Sequence, residues 1–455
     1  MTPLVPIMLF GWVPFTIFLF LRLPPHRAVL VSVIGGWLFL PMTGYNLPGI
    51  PPYSKSTAIA LGLILGGWIS GYRQRALFRW KIYDVPMLLW CLCPIASSLS
   101  NQLGLYNGLS GVLDNAITWG IPYLAGRIYF DNLDQLRDLC LAIMIGGILY
   151  LPLCLYEIRM SPQLSNIFYG FFPHVFMQHM RYGGYRPIVF MQHGLMVALW
   201  MAVTTTVTFW LWRSNEIKHI KGIPISLFAL ALIVTTILCK SVIGWISLAL
   251  GCGGYFVFRL FKSSRPHRLL LLLVPCYIVL RVIGSLEGEV VVSMVGRVFD
   301  EGRTSSLAIR TVQEDLFIEK TLERPLLGWG IIGRGWPVDE ESGKKSIGMV
   351  DALWLIIFNT RGIIGIFSMT AMMLIGPWLA LRSHKKQTLD TTFLYMGPIL
   401  LSLIVILFLI DCLVNGMLNP IYILVSGALL GWHVNQAKLL PATEALPGRQ
   451  MKRFR

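Results

Sequence analysis

The chain has 455 residues, 55% of them hydrophobic and only 13% charged, with a formal net charge of +16. A soluble domain usually carries about 25% charged residues, so an ordinary soluble enzyme is excluded. The positive charge lies in short loops between apolar runs, with no basic stripe, zinc-finger spacing or stacking motif, which excludes a nucleic-acid partner.

Apolar runs of roughly 16 to 24 residues recur from end to end, close to what a helix needs to cross a hydrocarbon core. Runs such as LLLLLVPCYIVL and ILLSLIVILFLI do not alternate as barrel strands must. In chain order the predicted helices cover 3–21, 27–42, 56–72, 84–98, 111–129, 134–156, 190–212, 223–238, 242–260, 267–284, 352–380, 391–410 and 415–433. The expected fold is therefore an all-α integral membrane protein, a single polytopic domain over 1–455 with about thirteen crossings. The first run lacks a preceding basic region and a small-residue cleavage site, so it reads as a spanning helix rather than a signal peptide.

Orientation follows from the loops. Arg22 and Arg27, then Arg73, Arg75, Arg79 and Lys81, then Arg213, Lys218 and Lys221 fall after odd-numbered helices. So do Arg259, Lys262, Arg265 and Arg268, then Arg382, Lys385 and Lys386, and the tail residues Lys452, Arg453 and Arg455. Basic loops face the cytoplasm, which places the C-terminus inside and the N-terminus outside. Two long segments then lie outside, an interfacial loop at 157–189 and a larger loop or cap at 285–351. The latter carries eight basic and twelve acidic side chains, and residues 304–323 read as an interfacial helix ending before Pro325. The eight cysteines form no metal-type pairs and behave as small hydrophobes.

The outward segments hold the polar motifs. In GGYRPIVFMQHG, residues 183–194, Gly183 and Gly184 permit a turn and Pro187 restricts the chain beside Arg186. The Arg186 fork suits paired phosphate oxygens, and His193 is placed to donate to oxygen or accept a proton. The competing reading has Arg186 reaching to the interface and His193 capping a helix. Just upstream, YGFFPHVFMQHM, residues 169–180, suits an interfacial segment. His174 and His179 stand five apart, poorly placed for one helical face, so no metal site is expected.

In ERPLLGWGIIGRG, residues 323–335, the glycines imply tight turns whose amides can cradle anionic oxygen, Gly328 and Gly330 foremost. Trp329 offers a face for a sugar, and Arg324 and Arg334 a phosphate clamp; the alternative is a compact connecting loop. In DALWLIIFNTRG, residues 351–362, Asp351 and Arg361 lie about 15 Å apart along a helix. Asp351 is a candidate base for a sugar hydroxyl, or it only orients an arginine. Lys240, Arg281, Arg303 and Arg310 add cationic candidates at the same level, where ordinary bundle salt bridges would look the same.

Together the RP…HG segment before a helix, the R…ERPLLGWG run and the following apolar helix with its RG resemble the O-antigen polymerase and O-antigen ligase superfamily. The resemblance implies the architecture of C-type glycosyltransferases and inverting, metal-independent transfer, without cofactor, from an undecaprenyl-diphosphate-linked glycan to an acceptor saccharide. It implies a bacterial inner-membrane location and, as candidate partners, polysaccharide-export or chain-length proteins. Arg186, Arg303 and Arg310 look like the family's arginines near the diphosphate or acceptor, and Gly328, Trp329 and Gly330 like its shared turn. Asp351 stands where ligases often show a histidine, which favours polymerisation of oligosaccharide units over transfer to a lipid A core, with His193 as the substitute base. A polysaccharide or lipid transporter is the alternative of a different class.

Overall fold

The computed structural model describes residues 1–47, 51–71, 78–296, 301–338, 350–383 and 393–444. Arg73, Arg75, Lys385, Lys386, Lys452, Arg453 and Arg455 lie outside the described residues. The described chain is mostly helical, and its strands are three two-residue antiparallel pairs.

The predicted apolar segments coincide with helices. They are α1 (Leu4–Arg22), α2 (Pro25–Leu30, continued by a π-turn to Gly35 and by Gly36–Phe39), α3 (Lys55–Ile69) and α4 (Val85–Ser100). Next come α5 (Gly104–Asn115, a π-turn, then Ile121–Tyr129), α6 (Leu133–Met160), α7 (Gly194–Arg213), α8 (Ile225–Leu238), α9 (Val242–Phe261) and α10 (Arg265–Val282). The helix expected at 304–323 is α11 (Glu301–Leu322), and the last three are α12 (Leu353–Ser383), α13 (Phe393–Cys412) and α14 (Pro420–Glu444). Six helices among the described residues are long and apolar enough to cross a membrane: α1, Ile82–Ser100, α6, α7, α9 and α12. The chain is consistent with an all-α membrane protein.

Contacts between distant turns sort the helix ends into two groups. At one end His26 and Arg27 meet Asp138, Arg137 meets Glu216, Tyr255 donates to the Arg213 carbonyl, Ser264 donates to that of Leu381, and Ser383 meets His433. Among the described residues, this end carries the basic side chains Arg22, Arg27, Arg213, Lys218, Lys221, Arg265, Arg268 and Arg382. An ion pair with both side chains almost wholly buried, Arg127 to Asp84 at 3.2 Å, lies there too. At the other end the Thr2 amide donates to Tyr169, Tyr169 donates to Phe39, and the Leu353 amide donates to Asn415.

Helix α7 is the axis of the bundle, with every residue from Gly194 to Leu211 buried except Leu195. Its buried threonines satisfy their hydroxyls on their own helix, Thr205 on Met201, Thr206 on Ala202 and Thr208 on Thr204, the ordinary way a polar side chain is tolerated in an apolar helix. Helices α5 and α14 cross at van der Waals distance. A methyl group on Gly126 would fall 2.1 Å from the Leu424 carbonyl oxygen, so only glycine lets the two backbones meet.

Candidate functional site

The segment between α6 and α7 is built on one carboxylate. Glu157, fully buried near the end of α6, accepts the amides of Leu164 at 2.9 Å and of Ile188 and Val189 at 2.7 Å. It therefore fixes both the start and the finish of a long loop. Nothing in the sequence marked Glu157 beyond an acidic residue closing an apolar run. Between those anchors come a short helix (Leu164–Tyr169), a 3₁₀ turn (Phe176–His179) and a hairpin pairing Met180–Arg181 with Gly184–Tyr185. Tyr182 and Gly183 have φ of 48° and 65°. Two central residues at positive φ make the hairpin turn whose twist matches paired strands.

That path gathers the RP…HG residues. The Arg186 guanidinium donates to the Lys240 carbonyl at 2.8 Å, and the Lys240 ammonium donates back to the Arg181 and Tyr182 carbonyls at 3.0 and 3.1 Å. A Cβ at Gly194 would stand 2.3 Å from Arg186 Cδ, so the glycine after His193 leaves room for the arginine. His193 is the N-cap of α7, its Nδ1 accepting the Leu195 amide at 3.1 Å. The capping role weighed from sequence is thus present, and His193 still faces the loop, with Gln178 Oε1 at 3.4 Å.

The expectation for His174 and His179 is overturned in one respect. Their five-residue spacing argues against a shared site only on a helix, and here the chain is a 3₁₀ turn leading into a hairpin. His174, His179 and His193 each bring a ring nitrogen to within 4.8 Å of the others. His179 has no exposed surface, and neither of its ring nitrogens has a hydrogen-bond partner among the described residues. Burial, followed by the neighbouring histidines and arginines, pushes the pKa of His179 down to about 4 and that of His193 down to about 3. Burial, then Arg181, lowers Arg186 to about 10, so at neutral pH His179 and His193 are uncharged and Arg186 is cationic.

A second grouping has a lining of its own, without Arg186, Lys240 or the histidines. Ile243, three residues after Lys240 in the first turn of α9, lines a cavity of about 230 Å³ together with Tyr277, Arg310, Glu314 and Asp351. Arg310 pairs with Asp351 at 3.2 Å, and the two side chains remain 38% and 42% exposed. A pair this open can trade its mutual contact for a ligand at small cost. Arg281 cannot. It is held by Glu314 at 3.0 Å and Asp315 at 2.9 Å, with its side chain 1% exposed, so it is a strut for α11 and not a free phosphate contact. Burial raises the pKa of Glu314. Arg303 lies in α11, and its side chain is outside the described residues.

The glycine-rich motif forms a seam instead of a cradle. The amides of Trp329 and Gly330 donate to the Asn359 and Thr360 carbonyls at 2.9 and 3.0 Å, which removes them as oxyanion donors. Asn101, which sequence reasoning did not single out, accepts Arg324 on its side chain and Arg334 on its carbonyl, each at 2.7 Å. Arg361 donates to the Gly330 carbonyl. The Trp329 indole donates to the Lys320 carbonyl, and the Arg324 and Lys320 side chains sit over its ring. Gly328, Trp329, Gly330, Arg324 and Arg334 therefore belong to the connection joining α4, the loop and α12, which is the compact-loop alternative for that motif, and Arg361 of the next motif is bound into it. The seam depends on a break in α12 at Gly362, with φ 63° and ψ −159°, a conformation essentially restricted to glycine. A Cβ there would fall 2.4 Å from the Leu326 backbone. Gly362→Ala is expected to cost about 1–3 kcal/mol from the backbone alone, read as a lower thermal midpoint in detergent.

No protein-family model and no curated protein matches the chain.

Proposed function

We propose that the chain is a bacterial inner-membrane glycosyltransferase that lengthens undecaprenyl-diphosphate-linked oligosaccharides on the extracytoplasmic face, crossing the membrane thirteen times with its C-terminus inside. The observation that carries this reading is the half-exposed Arg310–Asp351 pair in a cavity wall, with Arg186 and Lys240 beyond the first turn of α9. Both groupings lie at the end away from the basic turns, which is the extracytoplasmic end by the positive-inside rule.

In this reading Arg186 and Arg310 hold the lipid diphosphate and stabilise the charge that develops on its leaving oxygens. Asp351 accepts the proton of the attacking sugar hydroxyl. His193 is less suited to that task, because its Nδ1 lone pair already takes the Leu195 amide. Direct displacement inverts the anomeric centre, and holding two large substrates side by side supplies much of the acceleration. The apolar side chains of the cavity wall, Val350 and Leu355 among them, suit the lipid end of such a donor.

Proteoliposomes supplied with a lipid-linked oligosaccharide are expected to yield longer lipid-linked products by mass analysis. Glycan joined to a non-lipid-linked or lipid A acceptor would replace polymerisation by ligation. Substrate moved across the bilayer at unchanged mass would replace both by transport.

A further inference from the structure

We propose that His174, His179 and His193 bind a divalent transition-metal cation of the Zn²⁺ or Co²⁺ type. The three rings come from three different local structures: the loop before the 3₁₀ turn, the end of that turn and the N-cap of α7. Their convergence to within 4.8 Å brings three nitrogen ligands together in a segment whose helical spacing would have kept them apart. Zn²⁺ sits about 2.0–2.1 Å from an imidazole nitrogen, so a small closure of the cluster suffices.

The polar bookkeeping points to a ligand. Buried polar atoms without partners are rare in folded proteins and costly. Here both nitrogens of His179 and Nδ1 of His174 are buried and unpartnered among the described residues. A cation bound to one nitrogen of each ring partners His174 Nδ1 and one of the two His179 nitrogens, and ties the hairpin to the start of α7. His193 takes part through Nδ1, giving up the Leu195 amide, while its Nε2–H donates to Gln178 Oε1 as an outer-shell contact.

Imidazole ligands select zinc-like ions over Mg²⁺ or Ca²⁺, which prefer oxygen. Three protein nitrogens leave a four-coordinate cation one position for water or an anionic oxygen. The nearby Arg186, whose charge reaches both His179 and His193, favours an anion in that position. The inference does not rest on the glycosyl-transfer reading, because cation uptake is measured without substrate.

Full-length protein purified in detergent and stripped with a chelator is expected to take up Co²⁺ at one ion per chain. It should show the visible spectrum of a nitrogen-ligated, four-coordinate cobalt ion, and Zn²⁺ should displace it. His174→Ala and His179→Ala should each weaken uptake by about 100-fold or more, since loss of an outer-shell partner alone costs about 10- to 100-fold. Gln178→Ala should weaken uptake about tenfold and preserve the spectrum. His174 is only partly buried, so its variant separates ligation from folding, with monodisperse elution as the control. Failure of the wild-type chain to take up either ion overturns the site, as does uptake unchanged in His174→Ala. Binding of inorganic pyrophosphate that needs the three histidines, with no Co²⁺ uptake, also overturns it and assigns the rings to an anion.

Discussion

Arg186→Ala is expected to lower turnover of a lipid-linked oligosaccharide by about 10²- to 10³-fold, the usual cost of removing one donor that stabilises charge in a transition state. The side chain is buried, cationic and held by a single carbonyl, that of Lys240, while its Nε has no partner among the described residues. That nitrogen is enclosed, so a diphosphate oxygen reaches it only with movement of the Lys240 turn. Because Arg186 also steadies the Lys240 turn, turnover is to be read beside membrane insertion and the thermal midpoint. Arg186→Lys keeps the charge but loses the planar fork, and is expected to fall between wild type and Ala. Normal turnover by folded Arg186→Ala protein would remove the residue from the site.

Asp351→Asn is expected to lower kcat by about 10²- to 10⁴-fold, the range of a general base, while leaving KM close to its wild-type value. The substitution keeps the shape of the side chain and removes the proton acceptor. It also releases Arg310 from its 3.2 Å partner, so Arg310→Ala is the companion measurement. If Asp351 served only to orient the arginine, the two variants would lose activity equally and both would raise KM. If Asp351 is the base, Asp351→Asn loses kcat alone.

The helices were legible because apolar run length depends on local composition, and α1 through α10 and α12 through α14 fall on the predicted segments. The shared end of the basic turns was legible as well, since charge segregation is written in one dimension. The site was only partly so. Arg186 and His193 stood in a motif with Pro187 and Gly194, and the close approach of Arg186 to Gly194 explains that motif. Arg324, Arg334 and Trp329 had the residue types of a glycan site, yet their partners, Asn101 and the break at Gly362, lie more than 200 and more than 25 residues away in the chain. Sequence spacing cannot reveal such pairings. Nor could it separate Arg281, consumed by Glu314, from Arg310, which stays half open. The closeness of the three histidine rings was not legible, because helical spacing does not apply to a stretch that is a 3₁₀ turn and hairpin.

Side-selective labelling tests the polarity on which the proposed chemistry stands. Most of the eight native cysteines are buried and Cys276 is exposed, so Cys276→Ser supplies the background. In intact cells, a membrane-impermeant thiol reagent should modify Met177→Cys, on the histidine-bearing loop, and Glu323→Cys, after α11. It should reach Lys221→Cys, in the turn between α7 and α8, only once the membrane is opened. Labelling of Lys221→Cys in intact cells, with Met177→Cys and Glu323→Cys protected, would contradict an extracytoplasmic site.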